Sequence, residues 1–113
     1  MAEHRICSFG ELPTDALRVF RLEGVSVAVC KSAKGEVFAF ENRCTHQDVA
    51  LHKGPWDPAT CRLTCPAHQA VFALAQAGKA VVGPAVIPLE LYAVRKAAEG
   101  DFFGLFVTVP ETD

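Results

Sequence analysis

Long apolar runs, basic clusters and a surplus of one charge are all missing from this sequence of 113 residues. The apolar stretch from Ala80 to Leu89 holds two prolines and a glycine and is too short to cross a bilayer. Eleven basic and 13 acidic residues leave a net charge of −2, which excludes a basic surface for nucleic acid. Met1 to His4 lack the basic and apolar segments of a signal peptide. We therefore expect a cytoplasmic protein that binds neither membrane nor nucleic acid.

Size and composition indicate one globular domain over residues 1–113. Half of the residues are apolar and 21% are charged, which is ordinary for a folded domain. The length leaves no room for a catalytic domain beside a cofactor domain. We therefore expect the whole sequence to fold as one small domain.

Most of the sequence favours β-structure. Val25–Cys30 alternates valine with small residues and follows the turn residues Glu23-Gly24, which predicts a hairpin with Arg18–Leu22. Four further strands are predicted at Glu36–Phe40, Ala70–Leu74, Tyr92–Lys96 and Phe103–Val109. Only Thr14–Phe20 suggests a short helix. Short strands separated by frequent turns predict an antiparallel sandwich or barrel.

One long segment, from Asn42 to Leu63, breaks this β pattern. It contains Gly54, Pro55 and Pro58 and shows little alternation, so a long loop is predicted. Long irregular loops in small domains usually serve a function. Because this loop is also rich in cysteine and histidine, we expect it to help to bind a metal.

Two short motifs concentrate the metal-binding chemistry. Cys44-Thr45-His46 and Cys65-Pro66-Ala67-His68 are separated by 18 residues, and each supplies one thiol and one imidazole. The five cysteines are an odd number, which favours metal ligands and core thiols over a disulfide framework. Two cysteines and two histidines suit a tetrahedral zinc ion or a two-iron cluster with mixed ligands. Zinc fingers normally group the cysteines in one pair and the histidines in another.

The paired motifs resemble those of the Rieske iron–sulfur domain. The likeness covers about residues 4 to 109 and follows the order seen in small Rieske ferredoxins of ring-hydroxylating oxygenase systems. It runs through Cys65–Phe72, Gly78-Lys79, Gly83-Pro84-Ala85 and Pro88-Leu89. The segment Gly83-Pro84-Ala85 matches the proline loop that covers the cluster in that family. The resemblance implies a [2Fe–2S] cluster held by Cys44, His46, Cys65 and His68. It also implies an all-β Rieske fold, an antiparallel β-sandwich with a small cluster-binding lobe inserted at about residues 42–84.

The resemblance further implies an electron carrier and not an enzyme. The expected role is to pass single electrons from an NAD(P)H-dependent flavin reductase to a terminal Rieske non-heme iron oxygenase. Both partners are expected to dock near His46 and His68. Two alternatives stay open: a small Rieske-like subunit of a nitrite reductase-type complex, and a zinc-stabilised binding module.

The residues around the second motif predict a low reduction potential. High-potential Rieske proteins carry a serine and a tyrosine two and four residues after the second ligand histidine, and their hydroxyls stabilise the reduced cluster. Here those positions are Ala70 and Phe72. The positions of the loop-to-loop disulfide of such proteins are Val49 and Ala67. We expect a midpoint near the lower end of the Rieske range of about −150 to +300 mV.

Two features of the ligand loops bear on their expected structure. Gln47 and then Gln69-Ala70 stand where a glycine is usual soon after each ligand histidine, so the backbone angles that glycine allows are expected to be lost. The ligand loops also have few apolar residues, so the lobe is expected to need bound metal for its order.

Several further cysteine, histidine and aromatic residues have predicted roles. Cys61 is predicted to be a structural thiol on the strand before Cys65, and His52 a solvated loop residue. Trp56 either anchors a partner or packs on the base of its own loop. Cys7 and Cys30 are predicted to be small core residues.

Overall fold

The computed structural model describes residues 2–45, 49–67, 69–83 and 87–110. Within those ranges it contains ten strands and three short 3-10 helices. The strands are β1 Ala2–Ser8, β2 Arg18–Leu22, β3 Val25–Lys31, β4 Val37–Glu41, β5 Trp56–Asp57, β6 Arg62–Thr64, β7 Val71–Ala73, β8 Lys79–Val82, β9 Leu91–Glu99 and β10 Phe102–Val109. The 3-10 helices are Phe9–Glu11, Leu51–Lys53 and Leu74–Gln76.

The strands form two antiparallel sheets. One has six strands in the order β1-β10-β9-β4-β3-β2, and the other has four in the order β5-β6-β7-β8. The four-stranded sheet is built from residues between β4 and β9, so the chain leaves the larger sheet after Glu41 and returns to it at Leu91. We call this inserted part the lobe. The predicted all-β class is confirmed.

Strand β3 is the central layer because both of its faces are buried. Successive side chains on a strand point to opposite faces. Val27 and Val29 belong to a core cluster that includes Leu105 of β10. Ala28 and Cys30 belong to a second core cluster, shared with the lobe. The small side chains of Ala28 and Cys30 let the lobe approach the sheet closely.

The predicted hairpin between β2 and β3 is confirmed. Leu22 pairs with Val25 across the two residues Glu23 and Gly24. Their φ angles of 51° and 77° are both left-handed, as a two-residue type I′ turn requires.

Other expectations about local structure are wrong. Thr14–Phe20 forms no helix, because its last three residues pair with β3 and that pairing outweighs local helix propensity. The segment Asn42–Leu63 contains a 3-10 helix, β5 and the start of β6. The strand predicted at Ala70–Leu74 ends at Ala73, where a 3-10 turn begins.

The lobe also has more apolar anchors than the sequence suggested. Five of its residues are fully buried in the core cluster that it shares with the sheet: Leu51, Leu63, Ala70, Phe72 and Leu74. They pack against Phe40 of β4 in the same cluster. These anchors lie mostly outside the ligand loops, so the lobe has apolar packing of its own, while the dependence of the ligand loops on bound metal stays a prediction. The described residues include no helix with the length and apolar character to cross a membrane.

Candidate metal centre

Two loops of equal span carry the predicted cysteine ligands. The backbone N–H of Cys44 donates to the carbonyl oxygen of Val49 at 2.9 Å, and that of Cys65 donates to the carbonyl oxygen of Ala70 at 2.7 Å. Each bond joins residues five positions apart. We call residues 44–49 the first cysteine loop and residues 65–70 the second. In both loops, the hydrogen bond that closes the loop is donated by the cysteine at its first position.

The fold brings the two cysteines into one buried cluster. Cys44 is 3% exposed and Cys65 is fully buried, and both belong to the core cluster that also holds Phe40 and Phe72. His46 and His68 lie outside the described residues. The described residues contain no group of three or more histidine, cysteine, aspartate or glutamate side chains that could hold a metal ion. The structure thus brings together the two thiols of the predicted set.

The second cysteine loop keeps a left-handed residue without a glycine. Gln69 has a φ of 60°, and its N–H donates to the carbonyl oxygen of Cys65 at 3.0 Å. The expectation that this angle would be lost is therefore wrong at Gln69, whereas Gln47 lies outside the described residues. Because φ near 60° is unfavourable for a side chain with a Cβ, the loop holds Gln69 in a strained conformation.

A third segment is joined to the first cysteine loop. The Thr45 hydroxyl donates to the carbonyl oxygen of Ile87 at 2.7 Å. Ile87 follows the predicted proline loop, of which Gly83 is described while Pro84 and Ala85 lie outside the described residues. This hydrogen bond ties the end of that segment to the residue after Cys44.

Close packing at Gly54 positions the strand that leads to Cys65. A Cβ on Gly54 would overlap the carbonyl oxygen of Thr64 and lie 3.1 Å from Cδ of Pro66. The N–H of Thr64 donates to the carbonyl oxygen of Pro55 at 3.0 Å. Only glycine fits at this approach.

Asn42 and His52 form a clamp at the entry to the first cysteine loop. The His52 backbone N–H donates to Oδ1 of Asn42 at 2.8 Å, and Nδ2 of Asn42 donates to Nδ1 of His52 at 2.7 Å. His52 is half-buried, so the prediction of a solvated histidine is wrong. Sequence reasoning missed Asn42, because nothing in the local pattern marks a pair ten residues apart.

Trp56 packs between the lobe and the large sheet. It is half-buried, its ring centroid is 6.3 Å from that of Phe38, and its indole N–H donates to the carbonyl oxygen of Lys31 at 3.4 Å. These contacts favour the packing interpretation of Trp56 over the partner anchor.

The remaining cysteines behave as structural thiols. Cys61 is buried, but it lies in the turn before β6 and not on the strand, and its φ is 58°. Burial raises the pKa of the Cys61 thiol and of the half-buried Cys7 thiol. Burial, followed by the nearby Cys61, raises the pKa of the Cys30 thiol well above its ordinary value. These three thiols therefore stay protonated at neutral pH and are poor metal ligands.

Comparison with known proteins points to one family. A family model described as "Rieske [2Fe-2S] domain" matches residues 2–93. The ferredoxin component of biphenyl 2,3-dioxygenase from Rhodococcus jostii strain RHA1 is 35% identical over 101 residues, 89% of each chain. The 3-phenylpropionate/cinnamic acid dioxygenase ferredoxin subunit of Photorhabdus laumondii is 33% identical over 112 residues, 98% of each chain.

Solved structures give the same result for the fold. The Sphingomonas yanoikuyae B1 ferredoxin is 27% identical, with a TM-score of 0.78 over 96% of this chain and 100% of that one. The ferredoxin of carbazole 1,9a-dioxygenase from Nocardioides aromaticivorans IC177 is 23% identical, with a TM-score of 0.77 over 93% of this chain and 97% of that one. The second likeness supports the fold alone.

Proposed function

This chain belongs to the Rieske [2Fe–2S] domain family, and from that membership we propose that it carries single electrons from an NAD(P)H-dependent flavin reductase to a terminal Rieske non-heme iron oxygenase. Its relatives are named as ferredoxin components or subunits of dioxygenases, which are electron carriers and not catalytic enzymes. The predicted family, Rieske-type [2Fe–2S] cofactor and ferredoxin function are confirmed. The identity of the electron donor as a flavin reductase is part of the proposal.

We assign Cys44 and Cys65 to one iron and His46 and His68 to the other. One observation supports the cysteine part of this assignment: both thiols are buried in one core cluster, and each begins a loop closed by a hydrogen bond between residues five positions apart. The histidine part follows from the family resemblance. When bound, the cluster supplies the one-electron chemistry. The chain excludes water from the thiols with Leu63 and other buried lobe residues and holds the loops through its own hydrogen bonds.

Substitution of single ligands tests this assignment. Cys65→Ser is expected to lose iron, whereas Cys61→Ser, four residues earlier, should keep both iron and colour. His46→Cys should abolish the low-average-g EPR signal of a histidine-ligated cluster, and the same substitution at His4 should leave the signal unchanged. An unaltered EPR spectrum in His46→Cys would refute the ligand set.

The proposed midpoint is low. Ala70 and Phe72 are both fully buried, and neither carries a hydroxyl that could donate to a cluster or cysteine sulfur. Hydrogen bonds to the sulfurs favour the more negative, reduced state, so their absence here lowers the potential. A redox titration checks this, and a midpoint well above zero would contradict it.

We place the docking of both partners at the end of the molecule that carries the cysteine loops. Val82 and Ile87 are 48% and 59% exposed and flank the predicted proline loop. One solved structure is described as a complex of reduced oxygenase and oxidized ferredoxin in carbazole 1,9a-dioxygenase. An exposed apolar pair at this end suits a contact patch for such a partner.

A charge placed in this patch tests the docking proposal. Ile87→Glu is expected to lower the rate of electron transfer to the oxygenase at least tenfold and to leave the midpoint unchanged. Val19→Glu, at a valine on β2 that is 42% exposed, is the control and should transfer electrons normally. Equal electron-transfer rates for the two variants would show that the docking site lies elsewhere.

The alternatives are less favoured. A chain described as a putative NADH-dependent nitrite reductase small subunit is 18% identical, which supports the common fold alone. A zinc module would give a colourless protein with stoichiometric zinc, whereas the ferredoxin should be reddish brown and contain iron and labile sulfide. We also propose a single domain with its cluster-binding lobe at about residues 42–84, and a cytoplasmic location, which cell fractionation would test.

A further inference from the structure

An apolar groove lies at the end of the large sheet opposite the cysteine loops. Its volume is about 580 Å³, and its apolar lining consists of Phe9, Phe102 and Phe103. Strand β9 begins at Leu91, beside the lobe, and ends at Glu99, where the turn to the groove begins. At about 3.3 Å per residue, the groove is roughly 25 Å from the start of β9. It is therefore separate from the candidate metal centre.

The groove carries two exposed aromatic side chains. Phe102 is 68% exposed and Phe103 is 48% exposed, next to each other at the start of β10. Phe102 lines the groove together with Phe9 and Phe103 and is the most exposed large hydrophobic residue in the described part of the chain. An exposed ring on the wall of an aromatic groove can enter the same groove of a second copy, and a two-fold contact then uses the same patch on both chains. Contiguous exposed apolar surface of this kind marks an interaction site.

The charges around the groove are balanced. The acidic residues Glu11 and Asp101 line the groove. The Lys96 Nζ atom lies 4.6 Å from the centroid of the Phe9 ring and 5.1 Å from the centroid of the Phe103 ring. The Lys31 Nζ atom lies 4.3 Å from the centroid of the Phe9 ring. Within the described part of the chain, the Asp101 carboxylate has no hydrogen-bond or ion-pair partner. A surface with two acids and two bases does not match a partner of a single charge. It does match a rotated copy of itself, in which acid meets base.

We propose that this groove is a self-association surface, in which two copies of the chain pair about a two-fold axis. Phe102 of each copy occupies the groove of the other, and Asp101 faces Lys96 of the second copy. The patch is smaller than the roughly 800 Å² per partner of a stable interface, so the dimer is weak and depends on concentration. The cysteine loops stay exposed at the two outer ends. This inference does not depend on the proposed electron-transfer partners.

Sedimentation velocity of the iron-loaded protein, from about 10 μM to about 1 mM, tests the proposal. The sedimentation coefficient is expected to rise with concentration in the wild type. Phe102→Ser should weaken association at least tenfold. Gly10→Gln should do the same by filling the groove, because a Cβ on Gly10 meets no atom within 4 Å. Ile87→Ser, an exposed apolar residue at the other end, is the control and should associate like the wild type.

Exchanging the charges tests the two-fold geometry separately from the apolar contact. Asp101→Lys should weaken association, and adding Lys96→Asp to it should restore association. A wild type that stays monomeric throughout the range overturns the proposal, as does association that persists in Phe102→Ser and Gly10→Gln. Failure of the double exchange overturns the two-fold pairing. A monomer whose Phe102→Ser variant loses binding to a reductase or oxygenase assigns the groove to that partner and overturns the proposal.

Discussion

Burial raises the pKa of the Cys30 thiol more than neighbouring charge does. Cys30 has no exposed surface and lies on the face of β3 that packs against the lobe. Desolvation disfavours the thiolate there, so the pKa is raised, and nearby Cys61 raises it further. The folded state therefore binds the Cys30 proton more tightly than the unfolded state does.

Stability should consequently decline at alkaline pH. The contribution of a group with a raised folded pKa is complete below its ordinary value, 9.0 for this thiol, and is lost as the pH rises further. The slope reaches about 1.4 kcal/mol per pH unit. Between pH 8 and pH 10.5, the Tm of the wild type should fall more steeply than that of Cys30→Ala, each compared with its own value at pH 7. Parallel curves would contradict this.

The left-handed angle at Gln69 allows a second prediction about a single residue. A non-glycine residue at this angle costs about 1–2 kcal/mol, and glycine avoids that strain but loses about 0.4–1 kcal/mol through the unfolded chain. Gln69→Gly should therefore raise stability by about 0.5 kcal/mol. The exposed residue Ala67, in the same loop, has no positive φ, so Ala67→Gly should lower stability by about as much. Thermal melts of the two iron-loaded variants should shift in opposite directions.

At the scale of elements, the join between the 3-10 helix Leu51–Lys53 and β6 depends on one glycine. Gly54 lies against the carbonyl of Thr64, one residue before Cys65. Any side chain there has to push away the strand that leads into the second cysteine loop. Gly83 contrasts with it, since a Cβ there meets no atom within 4 Å.

Gly54→Ala is therefore expected to lower the Tm by several degrees and to reduce the iron content of the purified protein, because the displaced backbone misplaces Cys65. Gly83→Ala should change neither measurement. A Gly54→Ala protein with full iron and an unchanged melt would show that this approach does not position the loop.

Prediction of the elements from sequence succeeded where the signal was local. The β2–β3 hairpin carries its own turn residues, so its position was predicted to within a residue. Strands β1, β5 and β8 were missed. Strand β1 pairs with β10 about 100 residues away, and no turn connects the two. Such pairing depends on the whole sheet, which a local pattern does not reveal.

At the scale of the molecule, two separate cores predict how the protein responds to loss of metal. One core cluster holds only residues from the large sheet and the segment before β2, including Leu12, Val29 and Val107. The other spans the lobe and the sheet, with Leu63 and Phe72 packed in the same cluster as Phe40. The lobe thus has packing of its own besides any metal.

Removal of iron by a chelator should loosen the two cysteine loops and leave the large sheet intact. In hydrogen exchange, the amides of Cys44 and Cys65 should lose protection, while those in β3, β9 and β10 should keep it. The amides of β6 and β7 should keep part of theirs because their side chains are in the shared core. Simultaneous loss of protection along the whole chain would contradict two separable cores.

The amino-acid sequence by itself predicted the donor set and determined the β character and the family, since these depend on residue types at short spacing and on local turn signals. Only the tertiary structure brought Cys44 and Cys65 into one buried cluster, set Gln69 at a left-handed angle, and joined Asn42 to His52. It alone placed an aromatic groove at the far end of the sheet. Those features arise from contacts between residues distant in the chain, whose free energy depends on the packing of the whole molecule.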